Sequence, residues 1–572
     1  MKNIKKLYLG ISEEHEAGVA LIEKGQLVFA INEERLTRKK LQDGWPSLSI
    51  QQTLNYIRTN YPSHKIDGIG IASEYHISSD KSISNKGFAR SLISFFGKYA
   101  PNISIGNRYV LPIFRKALIM SQYSRKRKIR ELLQSIPEFK NSKIKYYDHH
   151  FCHAVSAIAF SGFENSLAIT IDAAGDGYCA NAYLYKNKKI QIIHKTPFFH
   201  SIGYYYTLVM LILGFKEGQQ GKVTGLAARG NPSKTLQIFK KYIFFDKKNK
   251  IFQNKASNYK DNFENLKKDL QIHTREDAAA GIQSHLENCI LEFISYLINK
   301  CKLEKPYNMV LAGGVFANVL LNSKIAKLNG LEDLFIFPNM TDGGLTAGAA
   351  ATIEAETLKS FESNKMNTIY LGQPISDDEI LSAINKYNCK YKYLENIETH
   401  VAKLLSEDKV IARYYGKMEF GPRALGNRSI LYSAKDPSVN NWLNKKLKRS
   451  EFMPFAPVVM DEISEDYFKI NQKLPTKYMT IVCEVTEKCM KECPAVVHVD
   501  NTARPQVVSK LDNPQLWNIL NEYRKITGTG VLVNTSFNMH EEPIVCSPLD
   551  AIRAFNDALL DGMAIGNYFV WK

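Results

Sequence analysis

Residues 6–34, KLYLGISEEHEAGVALIEKGQLVFAINEE, and residues 166–195, SLAITIDAAGDGYCANAYLYKNKKIQIIHK, follow one plan. In each, a short apolar run (LYLGI, LAITID) leads into a polar loop that carries acids. A hairpin pattern follows, turning in the first copy at Lys24-Gly25. The copies lie about 160 residues apart. A duplication of this kind predicts two related α/β lobes, each turning a polar, acid-bearing loop toward one cleft. Two unrelated hairpins are the alternative.

Between the copies the chain reads as helical, with a strongly basic stretch from Arg108 to Arg130. After the second copy come a helix-rich region (Leu266 to Lys302) and two glycine turns, VLAGGVFANVLLN (310–322) and FPNMTDGGLTAGAAA (337–351). Each places a strand-like run before Gly-Gly and a helix-like run. Free N–H groups at a helix start suit a phosphate, although Gly-Gly there also serves tight packing. Composition turns polar near 354–367, which reads as a linker. The expected domains are therefore 1–355, a linker at 356–367, and an α+β domain at 368–572.

The bulk properties bound the class. At about 150 residues per domain, 572 residues make two to four domains. A chain 45% hydrophobic and 23% charged is globular, not disordered or fibrous. No apolar run approaches the roughly 18–20 residues that span a bilayer, and the N-terminus lacks a signal peptide's apolar stretch. Nine cysteines without a CxxC pair argue against a disulfide framework and fit a reducing cytoplasm. The net charge of +18 favours anionic ligands, though solvated lysine surface explains much of it.

Four places carry candidate chemistry. In Asp148-His149-His150-Phe151-Cys152-His153, His149 and His153 stand four apart, so on a helix they share a face and can chelate one metal. Carboxylates must complete the set, and Asp172 and Asp342 are the best placed. Such a donor set suits iron, manganese or zinc rather than copper. A helix start capped by Asp148 is the structural alternative. In FGPRALGNRS (420–429), a glycine turn presents Arg423 and Arg428, whose guanidiniums can fork onto phosphate or carbamoyl oxygens. Lys448, Arg449 and Arg504 are candidates for the same pocket. VLVNTSF (531–537) ends an apolar strand in Asn534, Thr535 and Ser536, which can bind a ligand or open a turn. His15, between Glu14 and Glu16, is a candidate general base because its ordinary pKa is near neutrality.

Together with GKVTGLAARGNP (221–232), MPFAPVV (453–459), HVDNTARPQVV (498–508) and LVNTSFNMHEEPIVCSP (532–548), these segments resemble the O-carbamoyltransferase family of nodulation-factor, aminoglycoside and antibiotic carbamoyltransferases. The resemblance runs almost end to end. It implies an α/β plus α+β chain: an actin-like, sugar-kinase-like duplicated N-terminal domain and a smaller YrdC-like domain that forms an adenylate. It implies that Mg-ATP and carbamoyl phosphate give carbamoyl-AMP in the C-terminal domain, and that a hydroxylated acceptor, sugar-like, takes the carbamoyl group in the N-terminal cleft.

The same resemblance implies Fe(2+) held by His149, His153, Asp342 and Asp172, with His15 as base or substrate contact and Lys40 nearby in the chain. It places a nucleotide against Gly313, Gly314, Asn318, Gly343 and Gly344. Carbamoyl phosphate and ATP fall to Arg423, Arg428, Lys448, Arg449, Arg504, Asn534 and Ser536. Nucleic acid and a membrane span are not expected; the sequence does not fix the oligomeric state, though members of the family it resembles are often homodimers. The basic stretch fits either a phosphorylated or nucleotide-linked acceptor or plain solvated surface. This chain departs from the pattern at Met453, where many relatives have arginine, in the order Arg449-Ser450-Glu451, and at Asn501, where glycine is common. Threonylcarbamoyl transfer to tRNA and a non-catalytic nucleotide-binding regulator are the competing readings.

Overall fold

Leu7–Ser12, buried along its whole length, becomes β1, the middle strand of a five-stranded sheet. β2 (Gly18–Glu23) and β3 (Gln26–Asn32) form the antiparallel hairpin beside it. Its turn puts both Lys24 and Gly25 at positive φ (51° and 72°), the twist that matches flanking strands. β4 (Ile66–Ala72) and β5 (Lys143–Tyr147) add in parallel on the other side, giving the order β3-β2-β1-β4-β5.

The second copy repeats this arrangement. β6 (Ser166–Gly175), β7 (Tyr178–Lys186) and β8 (Lys189–Pro197) form the antiparallel set. A separate hairpin, β9 (Ile243–Asp246) with β10 (Ile251–Asn254), intervenes. β11 (Tyr307–Ala312) and β12 (Leu331–Ile336) then join β6 in parallel, in the order β12-β11-β6-β7-β8. The two sheets thus share strand order and directions, the duplicated α/β lobe expected from the two sequence copies.

The helix Leu345–Leu358 holds the first sheet through its small residues. A Cβ at Gly10 of β1 would collide with the carbonyl of Thr346, and one at Gly348 with the carbonyl of Cys152 in the helix His149–Ser161. Both packings need the bare glycine. Ile353, Ala349 and Leu345 fill the remaining space against Tyr8, Ala72 and Tyr147. Each fully buried aliphatic chain here contributes roughly 1.5–3 kcal/mol.

The computed structural model describes residues 6–62, 64–74, 111–255, 259–448, 453–470 and 474–572. The chain forms two compact units: Met1–Glu33 with Leu41–Asn367, and Glu34–Lys40 with Thr368–Lys572. The stretch read as a linker, 356–367, begins in the last turn of the helix Leu345–Leu358. It then donates from Asn364 N to Ala159 O (2.8 Å) and from Met366 N to Phe160 O (3.1 Å), so these residues belong to the first unit.

The second unit is α+β. Its main sheet runs β13 (Lys390–Tyr393), β22 (Tyr568–Trp571), β21 (Gly562–Ile565), β14 (Ile411–Tyr414), β15 (Arg428–Ser433), β20 (Val531–Ser536), β16 (Ala456–Met460), β19 (Gln506–Val508). A short pair, β17 (Cys483–Glu484) and β18 (Thr502–Ala503), leads into β19. The helices Ile397–Ser406 and Pro514–Thr527 pack on each other and on this sheet. Among the described residues, no helix is long and apolar enough to cross a membrane.

Candidate functional site

Asp148 caps the helix His149–Ser161 by accepting from Phe151 N (2.9 Å), and Gly162 ends it at φ 76°. The capping reading of Asp148 is therefore correct, and it coexists with the chelating one. From this helix His149 and His153 meet two carboxylates: Asp172 late in β6 and Asp342 in the turn before the helix Leu345–Leu358. His153 Nε2 lies 3.4 Å from Asp172 Oδ2 and 3.5 Å from Asp342 Oδ1, and His149 Nε2 lies 3.6 Å from Asp342 Oδ1. One ligand atom from each of the four residues falls within 4.8 Å of the others.

These separations are long for hydrogen bonds. They match ligands set tetrahedrally about one ion at about 2.1 Å, which stand roughly 3.4 Å apart. His149 Nε2 and both ring nitrogens of His153 are buried and have no hydrogen-bond partner, an arrangement that costs stability unless something else binds them. The residues present therefore fit a divalent metal. The electrostatics agree. Burial pulls the His153 ring down, but Asp172 and Asp342 outweigh it and raise its pKa to about 9. Burial pushes Asp172 up, yet His153, His149 and the Gly314 N–H hold it well below the usual carboxylate range.

The glycine turns serve the carboxylates. Gly314 N donates to Asp172 Oδ2 (2.9 Å), and Gly313, at φ 102°, passes so close to Ile171 O that no side chain fits. Gly343 N donates to Glu16 Oε2 (3.2 Å), and Thr341 Oγ1 donates to the same oxygen. Glu16 thereby ties the first polar loop to the turn carrying Asp342. Its neighbour His15 is exposed in that loop. Lys40 is exposed too, but it falls in the second unit. Asn318 is taken up by the fold: it caps the helix Val319–Ile325 and exchanges hydrogen bonds with Gln283 (2.8 and 3.0 Å). Gly344 packs on Asn339.

Several participants carried no signal in the sequence. Gly175 leaves room for the His149 ring, since a Cβ there would come within 2.6 Å of Nε2 and closer to its carbons. Ser73 Oγ stands 3.4 Å from His149 Nδ1. Asp176 accepts from His149 N (2.8 Å) and Glu74 N (2.9 Å). Burial and the charge of Asp148 raise its pKa to about 7. Arg115 bridges Asp148 (2.6 Å) and Glu74. These contacts span two lobes and a long sequence separation, so only the fold reveals them.

The basic stretch is less open than its composition suggests. Residues 108–110 lie outside the described residues. Arg125 pairs with Glu13 of the first polar loop, and Arg127 with Glu131 one helical turn on (2.8 Å). Lys126 lies 4.4 Å from the centre of the Tyr146 ring.

In the second unit the two predicted arginines of the glycine turn part ways. Arg428 is 1% exposed, donates to the carbonyls of Tyr415 (2.8 Å), Asn427 (2.9 Å) and Gly416 (3.0 Å), and stacks on Tyr414 at 3.6 Å. Both Nη groups are spent on the fold, while its buried Nε has no partner. Buried Glu419, which the sequence did not single out, accepts the N–H groups of Leu425 (2.8 Å), Asn427 (2.8 Å) and Arg428 (3.1 Å), fixing the turn. Arg423, by contrast, has neither an ion pair nor a hydrogen bond among the described residues, and the same holds for Arg504. Burial lowers the pKa of both, and Arg423 lowers Arg504 further by its charge. Two neighbouring cations thus stand without an acid partner among the described residues.

Asn534 Nδ2 donates to Gln506 Oε1 (2.7 Å) and Ala424 O (3.2 Å), tying β20 to that turn, while its Oδ1 is buried without a partner. Ser536 ends β20 opposite Ser429. Lys448 is exposed, and Arg449 lies outside the described residues. Asn501 adopts φ 58°, the left-handed region that glycine favours and asparagine tolerates. The departure from glycine thus keeps the backbone that leads to Arg504.

Comparison with known proteins accords with this layout. Residues 7–351 match the carbamoyltransferase N-terminus and residues 402–572 the carbamoyltransferase C-terminus. An uncharacterised protein of Methanocaldococcus jannaschii is 31% identical over 99% of this chain and 100% of its own. Nodulation protein NolNO of Sinorhizobium fredii is 29% identical over 98% of this chain and 79% of its own. Nodulation protein NolO of Bradyrhizobium diazoefficiens is 30% identical over 74% and 79%. Among solved structures, full-length HypF in its phosphate- and nucleotide-bound form superposes loosely, with 12% identity, a TM-score of 0.36, and coverage of 63% of this chain and 56% of that one. With both domain families matched in order and relatives aligned nearly end to end, the chain belongs to the carbamoyltransferase family.

Proposed function

We propose that the protein is an O-carbamoyltransferase working in two half-reactions. In the second unit, carbamoyl phosphate, ATP and a water give carbamoyl-AMP, phosphate and pyrophosphate. In the first unit, an acceptor hydroxyl attacks the carbamoyl carbon, the carbamoyl–phosphate anhydride bond breaks, and AMP leaves. The observation that carries this reading is the Arg423–Arg504 pair, two cations with no acid partner among the described residues. ATP and carbamoyl phosphate are both polyanions, and their reaction brings like charges together. Preorganised guanidiniums offset that repulsion as the bond to the α-phosphorus forms. Asn534 and Ser536 border the same turn and orient the small carbamoyl group.

The adenylate is already activated, so the transfer step needs positioning, charge stabilisation and a proton acceptor. We assign proton acceptance to His15 in the loop tied by Glu16 to the Asp342 turn. We retain Lys40 as the second candidate residue for that step. His149, His153, Asp172 and Asp342 would hold a divalent ion such as Fe(2+), which would supply Lewis-acid stabilisation of developing negative charge. The glycine turns Gly313-Gly314 and Gly343-Gly344 border these ligands and can face the AMP moiety. The acceptor is a hydroxylated small molecule of sugar type.

The test is pyrophosphate release from ATP with and without carbamoyl phosphate. Release that needs carbamoyl phosphate and is lost in Arg423→Ala supports the reading; release indifferent to carbamoyl phosphate, or none in metal-replete protein, defeats it. Elemental analysis of protein purified without chelator decides the metal. Less than about a tenth of an ion per chain would count against the four-residue centre.

A further inference from the structure

Glu34–Lys40 follows β3 in sequence yet packs as part of the second unit. Two of its arginines grip that unit's backbone. Arg35, 4% exposed, donates from Nη2 to Gly421 O at 2.7 Å. Gly421, at φ 143°, opens the turn two residues before Arg423. Arg38 donates from Nη2 to Pro543 O (2.6 Å) and from Nη1 to Ile544 O (2.8 Å), and pairs with Asp550 (3.6 Å) and Glu542 (3.8 Å). That second loop is joined to the end of β20 by Val545 N donating to Phe537 O (3.0 Å), and to β14 by Tyr414 Oη donating to Cys546 O (2.7 Å).

The two gripped loops are therefore those that flank the arginine turn and the Asn534–Ser536 strand end. Guanidiniums donating to main-chain carbonyls fix backbone rather than side chains, and neither arginine is spent on a surface ion pair alone. We propose that Glu34–Lys40 is a positioning strap for the anion site, with Arg35 setting the Gly421–Arg423 backbone and Arg38 holding the 542–547 loop and the start of the helix Pro548–Asp557. This rests on the adenylate-forming reading above. The adenylating unit is, on this view, incomplete without a segment encoded between strands of the N-terminal fold. Arg35 acts through Arg423, not on the reacting atoms.

The experiment uses the full-length protein and compares wild type, Arg35→Ala, Arg38→Gln and Lys39→Ala, the last an exposed control in the same segment. Pyrophosphate release is measured across carbamoyl phosphate concentrations, at a temperature well below every variant's melting point. We expect Arg35→Ala to raise KM for carbamoyl phosphate about tenfold or more with a smaller change in kcat, and Lys39→Ala to match wild type. Arg38→Gln should move KM in the same direction and supplies the answer if Arg35→Ala does not fold. KM within about twofold of wild type in both, whatever the melting temperatures, overturns the strap as a positioning device. If wild type releases no pyrophosphate in response to carbamoyl phosphate, the functional reading fails instead. The strap is then judged by calorimetric binding of inorganic pyrophosphate, where equal affinity in wild type and both variants overturns it.

Discussion

Asp172 Oδ2 faces His153 Nε2 at 3.4 Å while accepting the Gly314 N–H at 2.9 Å. One oxygen is thus fixed by the backbone of the first glycine turn, at Gly313-Gly314, and aimed at a histidine on a separate helix. An acid held this way cannot swing aside, which is the preorganisation a metal ligand needs.

Asp172→Asn keeps the shape and removes the charge. We expect bound metal to fall at least about tenfold, and carbamoyl transfer from supplied carbamoyl-AMP to fall with it. Pyrophosphate release should persist, because it belongs to the other unit. Metal content by elemental analysis, beside both half-reactions, checks this; loss of pyrophosphate release together with metal would refute the division of labour.

Gly175→Ala tests the metal centre from the side of packing. Its Cβ would enter the space of the His149 ring, so the ring must turn or the strand must shift. Overpacking of this kind costs about 1–3 kcal/mol. The expected result is weaker metal binding with a modest fall in melting temperature. Full metal occupancy in Gly175→Ala would show that His149 is not held where the structure has it.

Asn501→Gly should be nearly silent and Asn501→Val should not. At φ 58° a β-branched residue is disfavoured by roughly 1–2 kcal/mol, and relief of that strain would move the segment leading to Arg504. Carbamoyl phosphate dependence of pyrophosphate release in the two variants distinguishes the backbone role from a contact made by the asparagine side chain. Equal losses in both would favour the contact.

What the sequence made legible follows from which interactions are local. Apolar runs, positive-φ turns and the i, i+4 histidines are written in a few adjacent residues, so the two lobes and the chelating helix can be read directly. Arg428 shows the limit. Its spacing from Arg423 on a glycine turn looks like a phosphate fork, but three carbonyls and the Tyr414 face absorb its guanidinium. Whether an arginine is spent or spare depends on backbone folded around it, which spacing does not encode. The same holds for Gly175 and Glu419, whose partners, the His149 ring and the N–H groups of the arginine turn, are brought to them only by the fold. Arg35, whose partner Gly421 lies 386 residues away, could not be paired by any local rule.

The sharpest separation of function from stability lies at Arg504. Its side chain is half-buried, its Nε is buried without a partner, and Arg423 repels it. Such a group destabilises the fold that carries it, because an unpaired buried charge is not offset by any contact. Arg504→Leu removes the charge and keeps much of the volume, so the anion-free variant should melt higher than wild type while pyrophosphate release is lost. Added pyrophosphate should then reverse the order. A ligand at about 100 times its Kd stabilises wild type by about 2.7 kcal/mol, and the variant should gain far less. Differential scanning calorimetry with and without pyrophosphate reads both effects. A lower melting point for ligand-free Arg504→Leu would mean that the arginine is satisfied within the protein, and the anion site would lose its physical basis.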